Sequence, residues 1–208
     1  GQPLPLSLCG EETVFVVRMA TLLFRLTLAD NIRQGVTLLY PGDVFRSAFA
    51  PPRSAAHLIA LTSGEVLRYR FDTFSRLLST SPAARDYFDL AVARQAARQA
   101  IHLTAVGQLD SSQRLITFLM ELATHIGVPA SEGRIVFEMP LSRTEVAEYL
   151  GLNADTLSRI MSRLRTEGLL TQPDRHTMFV RDLAALAALS PASQSMMSLR
   201  LAGSALDL

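Results

Sequence analysis

A stretch of thirty residues, 141–170, constrains the fold of this chain more than any other segment. It reads LSRTEVAEYLGLNADTLSRIMSRLRTEGLL, in which Ser142 and Glu145 have the spacing of a capping box that begins a helix. Gly151 can adopt the positive φ of a tight turn before a second helix over 154–167. The positions that two steeply crossing helices bury are apolar or small: Val146, Ala147, Leu150, Leu152, Leu157 and Ile160. The segment is therefore predicted to be a helix-turn-helix.

The second helix carries polar side chains on its outer face. Asp155, Ser158 and Arg159 lie at positions i, i+3 and i+4 and so share one face. Arg159 has the forked donor geometry that binds O6 and N7 of guanine, and Asp155 can accept from a cytosine or adenine amine. Residues better placed for DNA phosphates are Ser142, Arg143, Thr156, Arg163, Arg175 and His176. The competing interpretation is a solvated helix whose Asp155 and Arg159 pair with each other.

The overall charge gives no sign of a nucleic-acid partner. The 208 residues include 20 basic and 19 acidic side chains, a net charge of +1, and every basic residue is arginine. Between Thr156 and Arg181, however, five arginines stand against two acids. The positive charge is thus concentrated in the predicted second helix and the segment after it, where DNA would lie.

The first third of the chain has the texture of short strands, from Thr13 to about Phe74. Apolar runs of strand length are 14–17, 20–26 and 36–40, and two more strands are predicted between His57 and Arg70. Turns are predicted at Ala29-Asp30-Asn31, Pro41-Gly42-Asp43 and Pro51-Pro52. Strands at this spacing favour a small barrel or sandwich.

A long helix is predicted next, beginning at Ser81-Pro82 and ending at Gly107. Small and apolar residues recur along it at heptad-like spacing: Leu90, Ala93, Ala97, Ile101 and Thr104. We expect this helix to pair with its twin in a dimer, the alternative being a helix packed on its own domain.

The last third is predicted to be a compact helical domain with a β-wing. Asp110 caps a helix over 111–126, a strand follows at 134–138, and a hairpin over 169–180 turns at residues 173–176. Asp182 caps a last helix, and the Ser- and Met-rich tail after Pro191 is expected to be loosely held.

These motifs resemble one known family, the cyclic-AMP receptor protein/fumarate–nitrate regulator (CRP/FNR) family of bacterial transcription factors. Residues 141–159 resemble its pattern L-[ST]-R-x-E-[IV]-A-x-x-L-G-L-x-x-[ED]-T-[LIV]-S-R, and residues 40–45 and 52–55 resemble its phosphate-binding cassette. The resemblance implies an α+β fold with three parts. These are a jelly-roll β-barrel sensor domain like those that bind cyclic nucleotides, shortened at its start (1–80), a dimerisation helix (81–108) and a winged helix-turn-helix domain (109–208).

The resemblance also implies partners and a binding site. A homodimer would bind a palindrome in double-stranded DNA, with RNA polymerase as a further partner. The set Asp155, Ser158 and Arg159 is similar to the fumarate–nitrate branch, which reads TTGAT-like half-sites, although that branch usually has Glu at the position of Asp155. The alternative function is a regulator that acts mainly through protein contacts, with a degenerate sensor and weak DNA affinity.

This sequence lacks some of the residues with which the family's effector pocket binds its ligand. Arg53 and Ser54 are the candidates for holding a phosphate. Ser47 stands where nucleotide-binding members have a ribose-binding glutamate, and Ala100 falls where the helix would contact adenine. We therefore expect no cyclic nucleotide as a cofactor.

Metal cofactors and enzymatic activity are not expected either. The single cysteine, Cys9, excludes a disulfide framework and an iron–sulfur cluster. His57, His102 and His125 lack the spacing of metal or haem ligands. No nucleophile elbow, P-loop or metal cluster indicates an enzyme. With no apolar run long enough to span a membrane, a cytoplasmic protein is predicted.

Overall fold

A computed structural model describes residues 1–8, 10–28, 32–52 and 54–201 of the chain. The chain divides into two compact units, residues 1–99 and 100–208, and the division falls within one long helix. The first unit is rich in antiparallel strands and the second is mainly helical, so the predicted α+β class is confirmed.

Two antiparallel sheets make up most of the first unit. The strands are β1 (Gln2–Leu4), β2 (Ser7–Leu8), β3 (Glu11–Val17), β4 (Leu22–Thr27), β5 (Arg33–Leu39), β6 (Val44–Arg46), β7 (Ala55–Ala60) and β8 (Val66–Arg70). The first sheet has the order β1-β7-β4-β5; in the second, β3 pairs with β2, β6 and β8. The predicted apolar runs thus form strands, while the turn expected at residues 29–31 lies outside the described residues.

The apolar faces of the two sheets share one core. Phe24 on β4 lies with its ring centroid 4.8 Å from that of Phe45 on β6, and Phe15, Leu39 and Leu58 are buried in the same cluster. Each fully buried side chain of this kind contributes about 1.5–3 kcal/mol relative to leaving it in water. The hydrophobic pattern of the strands is therefore what joins the sheets.

Two helices follow the strands. A helix that the sequence analysis did not predict, α1 (Phe71–Thr80), packs on β3 through the buried Phe74. The long helix α2 (Pro82–Gln108) begins as predicted, because the Ser81 hydroxyl accepts the backbone N–H of Ala84 at 3.2 Å. It ends one residue beyond Gly107, which lies in its last turn.

The second unit is built around helix α3 (Ser111–His125), which packs against three helices and a strand. Asp110 caps α3 as predicted, in a reciprocal capping box with Gln113. The remaining elements are β9 (Val128–Pro129), β10 (Ile135–Glu138), α4 (Arg143–Leu150), α5 (Ala154–Thr166), β11 (Leu170–Thr171), β12 (Thr177–Val180), α6 (Leu183–Ala187) and α7 (Ser193–Leu201). Their strands form one antiparallel sheet in the order β11-β12-β10-β9.

The expectation of a loosely held tail after Pro191 is wrong for the described residues. That segment forms α7, which packs on α3. Ser193 and Met196 of α7 are fully buried. The polar composition of the tail concealed a short apolar side that α3 covers.

Candidate nucleic-acid interface

Local capping positions the first helix of the predicted helix-turn-helix. The Ser142 hydroxyl accepts the N–H of Glu145 at 3.3 Å, and the Glu145 carboxylate accepts the N–H of Ser142 at 2.8 Å. Gly151 ends the helix in the left-handed region, with φ 61° and ψ 41°. An L residue with a side chain would be strained there, so this glycine sets the sharp turn between α4 and α5.

The second helix, α5, is capped by Asn153 and held by one apolar stripe. The Asn153 side-chain oxygen accepts the N–H of Asp155 at 2.7 Å. Leu157, Ile160 and Leu164 are buried, and they alone are buried among the residues of α5. The opposite face is left to solvent, which confirms the predicted helix-turn-helix architecture and leaves a row of polar side chains exposed.

The three predicted base-contacting residues all lie on that outer face. Asp155, Ser158 and Arg159 are all exposed. Arg159 donates through Nη2 to the Thr156 hydroxyl at 3.2 Å. In the described part of the chain Asp155 forms no ion pair, so the alternative interpretation of an Asp155–Arg159 pair does not hold.

Arg163, one of the predicted phosphate-binding residues, contacts the neighbouring helix α3. Its guanidinium bonds to the hydroxyl of Ser112 on α3, and its Nε lies 3.7 Å from the Glu167 carboxylate. Arg163 is still exposed, but its orientation is set by these neighbours.

The hairpin β11–β12 is the predicted wing, and a carboxylate organises its tip. The Asp174 carboxylate accepts the backbone N–H groups of His176 and Thr177, both at 2.8 Å. These bonds lower the pKa of Asp174, because they favour its charged form. Arg175 and His176 are thereby held exposed at the tip.

Gln172 ties the wing to α5, a role that the sequence analysis missed. Its Nε2 donates to the backbone oxygen of Arg175 at 3.3 Å, and its Oε1 accepts from Arg165 at 3.4 Å. A glutamine directly before a predicted turn gives no local signal of this role, since Arg165 lies seven positions earlier on another element.

A cavity of about 490 Å³ opens between α4, α5 and the wing. It brings together five of the nine residues predicted to contact DNA: Ser142, Arg143, Ser158, Arg175 and His176. Asp155, Thr156, Arg159 and Arg163 are not part of its lining. The predicted site residues thus form two neighbouring groups, one along the outer face of α5 and one around this cavity.

The cassette of the first unit has its polar groups engaged internally. The Ser47 hydroxyl accepts the N–H of Thr13 at 2.9 Å, and Ser54 donates its hydroxyl to the Pro51 oxygen at 2.7 Å. Asp43 forms a buried ion pair with Arg98 of α2. Arg53, the other predicted phosphate-binding residue, lies outside the described residues.

Two features of the described residues bear on other functions. No group of three or more His, Cys, Asp or Glu side chains among them is placed to hold a metal ion. None of their helices is long and apolar enough to cross a membrane.

Comparison with known proteins finds a family model that matches part of the second unit. Residues 113–189 match the Crp-like helix-turn-helix domain. The chain is 28% identical over 173 residues to the transcriptional regulatory protein btr of Bordetella pertussis, a match covering 81% of this chain and 70% of that protein. It is also 28% identical over 196 residues to the transcriptional activator protein FnrL of Cereibacter sphaeroides, covering 85% and 73% of the two chains.

Solved structures extend the likeness to nearly the whole fold. FixK2 from Bradyrhizobium japonicum superposes with a TM-score of 0.74 at 23% identity, over 91% of this chain and 90% of that one. A CooA variant from Carboxydothermus hydrogenoformans gives a TM-score of 0.68 at 21% identity, over 91% and 84%. The sequence relatives are regulators rather than enzymes, which confirms the expectation that this chain is not an enzyme. Over most of its length the chain is therefore similar to transcriptional regulators of the CRP/FNR family, and its residues 113–189 match the Crp-like helix-turn-helix domain.

Proposed function

We propose that this regulator acts as a homodimer that binds a palindromic DNA site with TTGAT-like half-sites, each read by the recognition helix 154–167. The observation that carries the proposal is the division of α5 into a buried stripe and an exposed polar face. A helix held in this way can enter the major groove while α4 crosses the DNA backbone.

Each predicted residue has a role in this proposal. Asp155, Ser158 and Arg159 contact base edges, with Arg159 donating to a guanine. Contacts to phosphates come from the two ends of the motif and from the wing, through Ser142, Arg143, Thr156, Arg163, Arg175 and His176. Asp155 is shorter than the glutamate of the fumarate–nitrate branch, so the base that it reads is the position where the site departs most from TTGAT.

Dimerisation is proposed to use helix α2, in the segment 81–108. None of its heptad positions is fully buried within the chain: Ala93 and Thr104 are exposed, and Leu90, Ala97 and Ile101 are half-buried. Leu103 is 74% exposed. Small and apolar side chains in this arrangement suit close pairing with a second copy of the helix.

The rest of the proposal follows from the family. Residues 1–80 form the cyclic-nucleotide-binding-like sensor domain and residues 109–208 the DNA-binding domain, in a cytoplasmic protein that contacts RNA polymerase at its promoters. In the sensor domain, Ser47 and Ser54 bond to the chain's own backbone, which supports regulation without a cyclic nucleotide.

Binding selection from a pool of random duplexes tests the function. The selected sites should be inverted repeats whose half-site centres lie about one helical turn apart. Fluorescence anisotropy should then give a preference of at least about 10³-fold for the palindrome over a scrambled duplex at 150 mM salt, which is the lower end for specific binding. Sedimentation should show two protein chains for each duplex.

Two outcomes would count against the proposal. Equal affinity for the palindrome and the scrambled duplex would favour a regulator that acts through protein contacts. One protein chain bound to each palindrome would remove the dimer, and with it the role of α2.

A further inference from the structure

The cavity between α4, α5 and the wing has the size of a small-molecule site. Its volume of about 490 Å³ lies within the roughly 300–1,000 Å³ that ligand pockets span. A surface used only for DNA phosphates needs exposed donors but no cavity of this volume. The cavity is therefore a candidate site in its own right.

Part of the cavity lining, the methionine wall, is apolar. Met139, Pro140 and Met161 belong to it and are half-buried, and Leu115 and Met178 belong to it and are fully buried. The unbranched thioethers of methionine adapt to apolar guests of different shape. This wall suits an alkyl or aryl group.

Exposed basic side chains form another part of the lining, the rim of the cavity. The rim consists of Arg143, Arg165 and Arg175 together with the imidazole of His176, and no Asp or Glu is among the lining residues of the cavity. Neither Arg143 nor Arg175 forms an ion pair within the described parts of the chain, and Arg165 bonds to the uncharged Gln172. The guanidinium groups of Arg143 and Arg175 at this rim are thus available to pair with an anion.

We propose that this cavity binds an amphipathic monocarboxylate, whose acid group pairs with Arg143 and Arg175 and whose apolar body lies on the methionine wall. A guanidinium binds a carboxylate through two parallel hydrogen bonds. A small hydrophilic anion such as inorganic phosphate would satisfy the rim but leave the apolar wall in contact with water. The cavity therefore selects for anions that carry an apolar group.

Binding of such a ligand would exclude DNA from part of the interface. Ser142, Arg143, Ser158, Arg175 and His176 line the cavity and are also the residues proposed to contact DNA. A carboxylate held by Arg143 and Arg175 removes two cationic donors from the phosphate backbone. This competition rests on the proposed DNA-binding function, whereas binding of the carboxylate does not.

Methionine methyl NMR of the full chain, with decanoate as the probe, tests binding without DNA. The chain has seven methionines, of which Met139, Met161 and Met178 line the cavity. Their signals should shift in a saturable way, while those of Met19, Met120 and Met196 stay in place. Decanol and inorganic phosphate should bind at least about tenfold more weakly than decanoate, because each lacks one half of the recognition.

Two matched arginine variants test whether a cavity arginine binds the carboxylate. Arg175→Gln should weaken decanoate binding about tenfold, the loss expected for one charge-assisted contact. Arg181→Gln, an exposed arginine outside the cavity lining, should leave binding unchanged. Uniform shifts at all methionines, equal binding of decanol, or equal effects of the two variants would overturn the site.

Anisotropy with the palindromic duplex tests the competition. The apparent Kd for DNA should rise in proportion to one plus the ratio of decanoate concentration to its own Kd. Saturable decanoate binding with an unchanged DNA Kd would overturn the competition. A protein that shows no preference for any palindrome would overturn the proposed function alone, since the NMR titration would still report on the carboxylate site.

Discussion

The same side chain, arginine, serves opposite purposes in the two units. In the β-rich unit, Arg98 and Asp43 form an ion pair whose side chains are only 4% and 6% exposed, and Arg46 lies 2.7 Å from Glu12. In the helical unit, Arg143 and Arg175 are exposed and form no ion pair among the described residues. Pairing partner and burial, rather than residue type, separate the arginines that hold the fold from those available to a ligand.

The difference follows from the cost of burying charge. A buried guanidinium must keep its carboxylate, because each charge alone would lose its hydration without compensation. An exposed guanidinium keeps its water and releases it only when a phosphate, base or carboxylate replaces it. An arginine paired in the interior thus fixes a local geometry, and arginines left exposed without an ion pair provide a binding surface.

The largest expected effect comes from breaking the buried pair. Arg98→Met should lower the free energy of unfolding of the β-rich unit by roughly 3–5 kcal/mol, because Asp43 would remain buried without its cation. Urea unfolding followed by circular dichroism measures the loss. The double variant Asp43→Asn with Arg98→Met should recover much of it, and Arg143→Met should be neutral. A loss below about 1 kcal/mol would mean that this pair stabilises the fold no more than an exposed ion pair does.

A half-buried histidine provides the second test, in the helical unit. His102 stacks on Tyr149 with ring centroids 4.1 Å apart, and burial lowers its pKa from 6.5 to about 4. Between pH 6.5 and 4, the unfolded chain therefore binds a proton at this histidine that the folded chain does not bind. The free energy of unfolding is thus highest above pH 6.5 and falls as the pH drops. At pH 4 the loss from this group should be roughly 2–4 kcal/mol.

Comparing two histidine variants isolates that effect from the titration of carboxylates. Thermal unfolding of His102→Phe at pH 7 and pH 4.5 should show a smaller drop in Tm than the parent chain. His176→Gln, at the exposed wing tip, should keep the parent's full drop. The same drop in all three chains would mean that His102 is protonated in the folded state.

The third test concerns the exposed arginines of α5. Arg159→Ala should cost about 1–3 kcal/mol of binding to the cognate palindrome and relax the preference at one guanine. Arg163→Ala should weaken cognate and scrambled duplexes alike and reduce the salt slope by about one. Anisotropy on duplexes with single-base changes, at several salt concentrations, distinguishes the two. Identical profiles for both variants would contradict their separate roles.

The smallest expected effect is at the surface ion pair of the same helix. Arg163 and Glu167 lie 3.7 Å apart and are both about half exposed. Glu167→Gln should change the free energy of unfolding by no more than about 0.5 kcal/mol, since exposed helical pairs contribute little. Urea unfolding at low and high salt measures it, and a loss comparable to that of Arg98→Met would invalidate the contrast between the units.

Features with local causes were predictable from the sequence. The capping box of Ser142 and Glu145, the positive φ of Gly151 and the cap at Asp110 each depend on residues a few positions apart. Helix α1 was missed because Arg70 at its N-cap makes no side-chain capping bond. A capping box of residues close in sequence indicates where α4 begins, whereas no side-chain cap marks the beginning of α1.

Features with distant causes were not predictable. Asp43 and Arg98 are 55 positions apart, and α7 is a helix largely because α3 covers its apolar side. The cavity depends on Gln172 holding the wing to Arg165 of α5. A motif can therefore name the residues of an interface, whereas the concave surface between them needs the tertiary structure.

Helix α3 has a consequence for how this DNA-binding domain moves. Ten consecutive residues of α3, from Leu115 to Thr124, are buried, whereas α5 buries only three along one stripe. Amide hydrogens of α3 should exchange with solvent only on global unfolding, and those of α5 through smaller openings. The helix proposed to read DNA can thus open locally and adjust its position in the groove, while α3, against which it packs, stays folded.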